Sequence, residues 1–382
     1  MATQSLPRRH ELDWLRVLAF ALLVLYHTGM IFVPWKFHIK NAETIPWLEY
    51  VMRFSAQWRL PLLFLIAGAG VGFSLRNRSA QEFRTERLRR LGVPILFGML
   101  VIVPPQIYCE RVFQGVYQYT WQSFGEFWLS VIRFKPYPMG GSFSWHHLWF
   151  VVYILVYSLL CGRLFVWYKS EHGTILRERI ERFMQNVWFV VGLCLPLCCA
   201  AWCLGPFWDT THSLINDWYN FTVSLLIFIY GFLFATHSSV FRLIAIHRYY
   251  WLSGMIVATT ILYSIYWLDA EWMRISHGWF SVMPYWFLKY FNIYMILLTL
   301  IGFAGHYLTT TNSFLRYTNE AVYPFYILHQ SVMIVIGFFI IPLEIRWVVK
   351  FVIIAIGTYA ITMLLYECIR HVRVLRFLFG LR

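Results

Sequence analysis

The sequence predicts an all-α fold, a polytopic membrane helix bundle of about ten transmembrane helices with both termini in the cytoplasm. Hydrophobic residues make up 59% of the 382 residues and charged residues only 13%, whereas a soluble globular domain is about 25% charged. Uncharged runs of about 18 to 20 residues, long enough to cross a bilayer as a helix, recur along the chain. These two observations place the chain in a lipid bilayer as a multi-pass protein.

The charge balance supports the predicted orientation. The net charge is +14, with 32 Lys and Arg against 18 Asp and Glu. In a soluble protein this surplus would suggest a nucleic-acid partner, but in a membrane protein it is the expected bias of basic residues toward cytoplasmic connectors. An even number of spans and the position of the basic segments place both ends inside. We therefore expect no nucleic-acid partner and a location in the cytoplasmic (inner) membrane.

The first predicted span is Glu11 to Trp35. It is too long for the apolar core of a secretory signal, so we interpret it as retained. The second span contains the small residues Gly68, Ala69 and Gly70, which favour close helix packing. The nine later spans are predicted at about 56–75, 91–108, 147–168, 187–205, 221–239, 251–268, 286–305, 321–341 and 348–367. No linker or repeat interrupts them, so we predict one membrane domain, 1–382, without a separate soluble domain.

Two further features complete this description. The third span contains Pro94, Pro104 and Pro105 and is expected to be kinked or broken. The connector after it includes WQSFGEFWLSVIRF, whose aromatic residues recur at helical spacing, as in a helix lying in the membrane interface. The seven cysteines do not show paired metal-binding spacings, and no disulfide is required.

The first span carries the most informative polar residues, Asp13, Arg16 and His27. A helix turns about 100° per residue, so Arg16 and His27 lie about 20° apart in azimuth and about 16 Å apart along the axis. Because burying ionisable groups in a membrane is costly, such residues are candidates for function. The alternative is an interfacial Asp13–Arg16 anchor with His27 as a core histidine, and spacing alone leaves both open.

A basic loop follows the second span, RNRSAQEFRTERLRRLG. Arg84, Arg87 and Arg90 recur at every third residue and are candidates for binding the phosphates of a donor such as coenzyme A. Positive-inside topology alone also explains a basic cytoplasmic loop. The six arginines concerned are Arg76, Arg78, Arg84, Arg87, Arg89 and Arg90.

Later histidines provide further candidates. His329 lies in the ninth span close to Tyr326, at a depth that could face His27. His147 and Trp149 open the fourth span, where we favour an orienting or interfacial role. The adjacent pair His146–His147 lacks a suitably spaced carboxylate or cysteine, so the sequence predicts no metal site.

The absence of certain sequence motifs argues against several classes of enzyme and transporter. The chain contains no Walker A sequence, GxGxxG, HExxH or GxSxG in a suitable context. This argues against a nucleotide-driven pump, a zinc protease and a serine hydrolase.

These residues together resemble the acyltransferase 3 family of multi-pass membrane enzymes. LDWLRVLAFALLVLYH is similar to the family's first-helix signature, an arginine followed after ten residues by a histidine. PLLFLIAGAGVGF is similar to its second-helix stretch, with Ala67 in place of the usual serine. RLRRLGVP resembles its cytoplasmic arginine element, with one extra residue before the proline. HLWFVVYIL and YPFYILHQSV are similar to the later blocks, so the resemblance extends over almost the whole chain.

The resemblance implies transfer of an acyl group, acetyl or succinyl, from a cytoplasmic acyl-coenzyme A to a hydroxyl of an envelope or periplasmic carbohydrate. It implies an essential role for His27 and a link of Arg16, Arg87 and Arg90 to the donor, with His329 a further candidate. Glucan-succinylating members are similar in overall layout. No bound cofactor is expected, since acyl-coenzyme A is a substrate. His27 would act as a general base or carry the acyl group itself.

Two other functions are compatible with the residues. A transporter or flippase for a glycan or lipid intermediate would also use broken spans and intramembrane histidine and arginine. A haem-binding bundle would use His27 and His329 as ligands.

Overall fold

The computed structural model describes residues 8–75, 78–138, 141–268 and 282–381, and within these ranges it is helical without a β-strand. Pro136 and Phe143 form an isolated bridge. The helices are α1 His10–Met30, α2 Pro46–Ser74, α3 Ala80–Phe113, α4 Trp121–Ile132, α5 His146–Lys169, α6 Thr174–Met184, α7 Val187–Leu204, α8 Trp218–Thr236, α9 Ser239–Ile246, α10 Arg248–Ile261, α11 Met283–Tyr307, α12 Ser313–Ile340, α13 Trp347–His371 and α14 Arg373–Leu378.

The all-α prediction is therefore confirmed. Within the described ranges, nine helices are long and apolar enough to cross a membrane, namely α1, α2, α3, α5, α7, α8, α11, α12 and α13. The remaining predicted span, 251–268, is the seventh along the chain; it is also helical and continues from α10 into a π-helical segment, Leu262–Trp267. It is not among the nine, since its tyrosine, serine and threonine residues make it less apolar.

Several predicted boundaries differ from the structure; helix α3, for example, begins at Ala80, within the predicted basic loop. Helix α1 ends at Met30, before the predicted end at Trp35, and the chain turns there. Helix α2 begins at Pro46, ten residues before the predicted start of the second span at about 56. Proline is well suited to the start of a helix because its missing N–H would have no intrahelical acceptor there.

The third predicted span is one continuous helix that contains two π-helical segments and is not broken. Two π-helical segments, Leu88–Gly92 and Gly98–Ile102, interrupt the α-helical pattern of α3. Pro94 follows the first segment, and Pro104 and Pro105 follow the second. A π turn changes the hydrogen-bond ladder locally and so accommodates a residue that cannot donate an N–H. This explains how three prolines fit in one helix.

The chain forms two compact units that are interleaved in sequence. The first unit comprises Met1–Ala19, Gln57–Ala80 and Leu160–Asn319; the second comprises Phe20–Ala56, Gln81–Leu159 and Glu320–Arg382. Helices α1, α2, α5 and α12 each contribute several residues to both units, and α3 contributes only its first residue, Ala80, to the first unit. Neither unit is a single stretch of sequence.

In the first unit, α2 and α8 pack backbone against backbone. A Cβ added to Gly68 would lie 1.8 Å from the Phe228 carbonyl oxygen, and one added to Gly231 would lie 1.9 Å from that of Leu65. Such separations are far below van der Waals contact, so only glycine allows this approach. Close packing is therefore present at Gly68, as is typical of membrane helices, whereas an added Cβ at Gly70 would meet no atom within 4 Å.

In the second unit, the segment after α1 packs on α12 and α13. Ile31, Phe32 and Ile39 are fully buried in one apolar cluster with Met333, Ile334 and Ile354. The ammonium group of Lys350 donates hydrogen bonds to Asn41 Oδ1 at 3.0 Å and to the Ile341 carbonyl at 2.6 Å. Lys40 donates to the Met30 carbonyl at 2.7 Å, at the end of α1. These contacts fix the C-terminal end of α1 and the position of the segment that follows.

Candidate active site

Two histidines from distant helices meet in the second unit. His27 lies near the end of α1, and His329 lies in α12, where it is fully buried. The Nδ1 atom of His27 is 3.1 Å from the Nε2 atom of His329. Their rings are nearly parallel, with an interplanar angle of 18° and centroids 5.3 Å apart. The structure thus brings together the two histidines that the sequence analysis singled out.

The hydrogen-bond partners assign the tautomers of the pair. His329 Nδ1 is 2.6 Å from the Tyr326 carbonyl oxygen, which can only accept, so Nδ1 carries the hydrogen. Neutral His329 then has its lone pair on Nε2, and His27 donates its Nδ1–H to that atom. Neutral His27 consequently has its own lone pair on Nε2. That atom is the proton-accepting and nucleophilic position of the pair.

His147 and Tyr326 hold α5 against α12 beside this pair. The His147 Nε2–H donates to the Ile327 carbonyl at 2.9 Å, and the Tyr326 hydroxyl donates to the His147 carbonyl. The His147 ring stands perpendicular to that of His329, with centroids 5.5 Å apart. Both side chains are buried. These two hydrogen bonds link α5 to α12, and the orienting or interfacial role of His147 stays a prediction.

Trp149 lies at the start of the same helix and has a packing role there. It is buried, and its ring meets that of Tyr153 edge-on at 5.2 Å.

Asp13 and Arg16 form a separate polar cluster in the first unit. Arg16 donates to Asp13 Oδ1 at 3.2 Å and also to the side-chain oxygen of Asn319. The second oxygen of Asp13 accepts a hydrogen bond of 2.8 Å from Arg8 Nε. The predicted Asp13–Arg16 pair is therefore present. Its third member, Asn319, was not anticipated.

The three candidate donor-binding arginines lie in the first turns of α3. Arg84 is exposed, Arg87 is half-buried with its guanidinium 4.9 Å from the Phe83 ring centroid, and Arg90 is 3.5 Å from Glu86. Arg76, counted in the same loop, lies outside the described residues. All three residues lie within the first three turns of one helix, and Arg84 and Arg90 are exposed.

A second histidine cluster in the same unit was missed from sequence. His38 Nδ1 lies 2.8 Å from Glu110 Oε2, and His146 Nε2 lies 3.8 Å from the same oxygen. The hydroxyl of Tyr137 donates to Glu110 Oε1 at 3.0 Å. The side-chain amide of Gln330 is 3.2 Å from His38 Nε2. Burial, together with the negative charge of Glu110, raises the pKa of Tyr137 to about 12, so this hydroxyl keeps its proton.

One sequence signal could have revealed this cluster. Glu110 is a carboxylate in the last turns of an apolar span and is 6% exposed. A buried carboxylate in such a span requires a polar partner, which here is supplied by His38 and His146. No suitably spaced carboxylate lies near His146 in the sequence, and the carboxylate that it faces, Glu110, comes from another helix.

A further polar chain lies in the first unit and joins α5, α6 and α9. The Tyr168 hydroxyl donates to His237 Nε2 at 2.6 Å, and His237 Nδ1 donates to Glu181 Oε2 at 2.6 Å. Ser239 donates to the other Glu181 oxygen. Burial lowers the pKa of His237, while the adjacent Glu181 works to raise it. Burial works to raise the pKa of Glu181, but its hydrogen bonds from Ser239, His237 and Gln185 outweigh burial and lower it.

The geometry of the histidine pair disfavours the haem alternative. The two axial nitrogens of a haem lie on opposite sides of the iron, each about 2.0 Å from it, so they lie about 4 Å apart. The His27 and His329 nitrogens are 3.1 Å apart and hydrogen bonded directly.

Comparison with known proteins gives one family across most of the chain. The model of the acyltransferase domain known as acyltransferase 3 matches residues 9–367. Glucans biosynthesis protein C of Escherichia coli O139:H28 is 22% identical over 385 residues, covering 98% of this chain and 94% of that protein. The protein of the same name from Escherichia coli K12 is 22% identical over 224 residues, covering 58% of this chain and 55% of that relative. No solved structure matches the chain.

Proposed function

Because the chain belongs to the acyltransferase 3 family of membrane acyltransferases, we propose that it transfers an acetyl or succinyl group from acyl-coenzyme A to a hydroxyl of an envelope or periplasmic glucan. The observation that carries this proposal is the His27–His329 pair, whose tautomers leave the Nε2 lone pair of His27 as the reactive position. The acceptor class follows from the relatives, two of which are named as glucan biosynthesis proteins.

In the general-base route, His27 Nε2 takes the proton of the acceptor hydroxyl while the oxygen attacks the thioester carbonyl carbon. The carbon–sulfur bond then breaks, and the departing thiolate takes the proton from His27 Nε2. The positive charge that His27 carries in between is stabilised because its Nδ1–H points at the lone pair of His329. The Tyr326 carbonyl holds His329 in the tautomer that accepts this bond.

In the acyl-relay route, the same Nε2 lone pair attacks the thioester and coenzyme A leaves as the thiolate. The acylated imidazole is then attacked by the acceptor hydroxyl, which passes its proton to a base and restores neutral His27. Both routes need His329 to hold the Nδ1–H of His27.

We assign donor binding to Arg84, Arg87 and Arg90, with Arg16 as a further donor-linked residue. Guanidinium groups bind phosphate oxygens through paired N–H donors, and coenzyme A carries phosphates at its nucleotide end. Support comes from the exposure of Arg84 and Arg90. Asp13 accepts a hydrogen bond from Arg16 and would hold that guanidinium in one orientation. In the proposed topology both termini and these arginines face the cytoplasm, in the inner membrane.

The test is acylation by the purified protein in liposomes that contain no ion gradient. Acyl-coenzyme A is supplied with a β-glucan, and the product is analysed by mass spectrometry for an added acetyl or succinyl mass. We expect transfer by the wild type and by His306→Ala, a control at an exposed histidine, and none by His27→Ala. Movement of glycan without consumption of acyl-coenzyme A would instead support a transporter or flippase.

Incubation without acceptor separates the two routes. An acyl mass on the peptide containing His27 would identify the relay. An unmodified peptide in a protein that is active once acceptor is added would identify the general base.

A further inference from the structure

We propose that His38, Glu110 and His146 bind a divalent transition metal, most suitably zinc. They come from the segment after α1, the end of α3 and the first residue of α5. One ring nitrogen of each histidine and one oxygen of Glu110 lie within 4.8 Å of one another. Two imidazoles and one carboxylate form a ligand set that zinc takes in proteins, with a fourth position for water.

The spacing of the three atoms suits one ion. Zinc holds histidine nitrogens and carboxylate oxygens at about 2.0 to 2.2 Å, so tetrahedral ligand atoms lie about 3.3 Å apart. The His38–Glu110 separation of 2.8 Å and the His146–Glu110 separation of 3.8 Å fall on either side of this value. Side-chain rotation would bring both separations to this value, and the two histidine nitrogens lie within 4.8 Å of each other.

His146 provides an independent argument. Its side chain is 5% exposed, and its Nε2 lies 3.8 Å from the carboxylate, which is too long for a hydrogen bond. Its Nδ1 has no hydrogen-bond partner within the described ranges. Burying an imidazole without hydrogen bonds is costly. An ion between Nε2 and Glu110 Oε2 would hold the ring in place and explain why its Nε2 faces the carboxylate.

The surrounding groups suit a metal site as well. Tyr137 donates to Glu110 Oε1, which leaves Oε2 for the ion. The Gln330 amide lies 3.2 Å from His38 Nε2. With its oxygen turned toward the ring, it accepts the Nε2–H and leaves the Nδ1 lone pair directed at the site. Groups that orient metal-binding histidines in this way are typical of protein metal centres.

The competing interpretation is a metal-free cluster in which the Nδ1–H of His38 donates a hydrogen bond to Glu110 Oε2. The two differ in one measurable property, the amount of metal retained by the intact protein. The experiment therefore measures metal directly.

The full chain, purified in detergent with an affinity tag that lacks histidine, is equilibrated with zinc sulfate, desalted and analysed by mass spectrometry for metals. We expect about one zinc ion per chain. Glu110→Gln and His146→Asn should each retain at least about tenfold less at the same free zinc concentration. His371→Asn is the matched control, because His371 is an exposed histidine 3.6 Å from another glutamate, Glu367.

A second readout is optical. Cobalt(II) in place of zinc should give visible absorption bands typical of low-coordinate cobalt in the wild type and in His371→Asn, and the bands should be absent in Glu110→Gln. The proposal is overturned if the wild type retains no more zinc than Glu110→Gln, or if His371→Asn lowers retention equally. If a variant fails to fold, the zinc content and the cobalt spectrum of the wild type decide between the two interpretations, because a metal-free cluster would show neither bound zinc nor cobalt bands.

Discussion

His27 Nδ1 and His329 Nε2 lie within 3.1 Å although 302 residues separate them along the chain. The bond has a fixed direction, because His329 gives its own Nδ1–H to the Tyr326 carbonyl. In the proposed mechanism His329 is therefore a positioning residue, and His27 is the residue whose second nitrogen acts on the substrate. The two substitutions should therefore have different effects.

We expect His27→Ala to lower kcat by about 10² to 10⁴-fold, the usual contribution of a positioned general base. His329→Ala should lower kcat by a smaller factor, about 10 to 100-fold, without changing the KM for acyl-coenzyme A. The double variant should be no slower than His27→Ala, because residues that act as a unit are not additive. Steady-state kinetics in liposomes measure all three. Additive losses would show that His329 acts independently of His27.

Arg87→Ala and Arg90→Ala should each raise the KM for acyl-coenzyme A while changing kcat little. The loss of one exposed charge–phosphate contact predicts an increase of about 3 to 10-fold that shrinks at higher ionic strength. Arg373→Ala is the control, since Arg373 is an exposed arginine in the basic C-terminal segment. If all of these proteins have the same KM for acyl-coenzyme A, these arginines do not bind the donor and contribute only to membrane topology.

Gly68→Ala should destabilise the protein, because the new Cβ would lie 1.8 Å from the Phe228 carbonyl oxygen, a backbone atom that cannot move alone. Overpacking of this kind costs about 1 to 3 kcal/mol. Gly70→Ala, two residues away with nothing within 4 Å of the added Cβ, should be neutral or slightly stabilising. Tryptophan fluorescence during thermal unfolding compares them. A Gly68→Ala protein as stable as Gly70→Ala would disprove the close packing of α2 and α8.

Acidification should destabilise the polar chain around His237. Its pKa is lowered in the folded state by burial, so the unfolded chain binds a proton first and stability falls as pH drops below about 6.5. The lowered pKa of Glu181 adds a further loss of stability at more acidic pH. The dependence between pH 7.5 and 5.5 should weaken in His237→Gln, which cannot titrate. Unfolding temperatures with the same pH slope in both proteins would refute this assignment.

Much of the helical fold could be predicted from the sequence, because a long apolar run directly indicates a membrane-spanning helix. The close packing of α2 was readable too, since few residues except glycine permit it. The start of α2 at Pro46 was not, because the local polarity of 46–55 resembles a connector and the helix there depends on tertiary contacts. The contribution of residues from α1, α2, α5 and α12 to two units was equally hidden. Contact between distant segments leaves no local pattern.

The residues of the candidate site also divide into those that the sequence indicates and those that it does not. His27 and His329 were identified because an imidazole in a membrane span is unusual in itself. Glu110 was overlooked, although it is equally unusual, because its partner His38 lies 72 residues away in a segment without a span of its own. Asn319 is uncharged, so nothing in the sequence marked it as a partner of Arg16.

Because α3 contains π turns, the side of the helix on which Glu110 lies depends on the number of residues that precede it in the helix. Each π turn accommodates one residue more than an α turn, and one residue corresponds to about 100° of rotation. Everything beyond Gly98–Ile102 is therefore turned relative to an uninterrupted helix, and the side of α3 that carries Glu110 is chosen by the number of residues before it. A chain one residue shorter at this point would keep its apolar character and its prolines, yet direct this carboxylate away from His38.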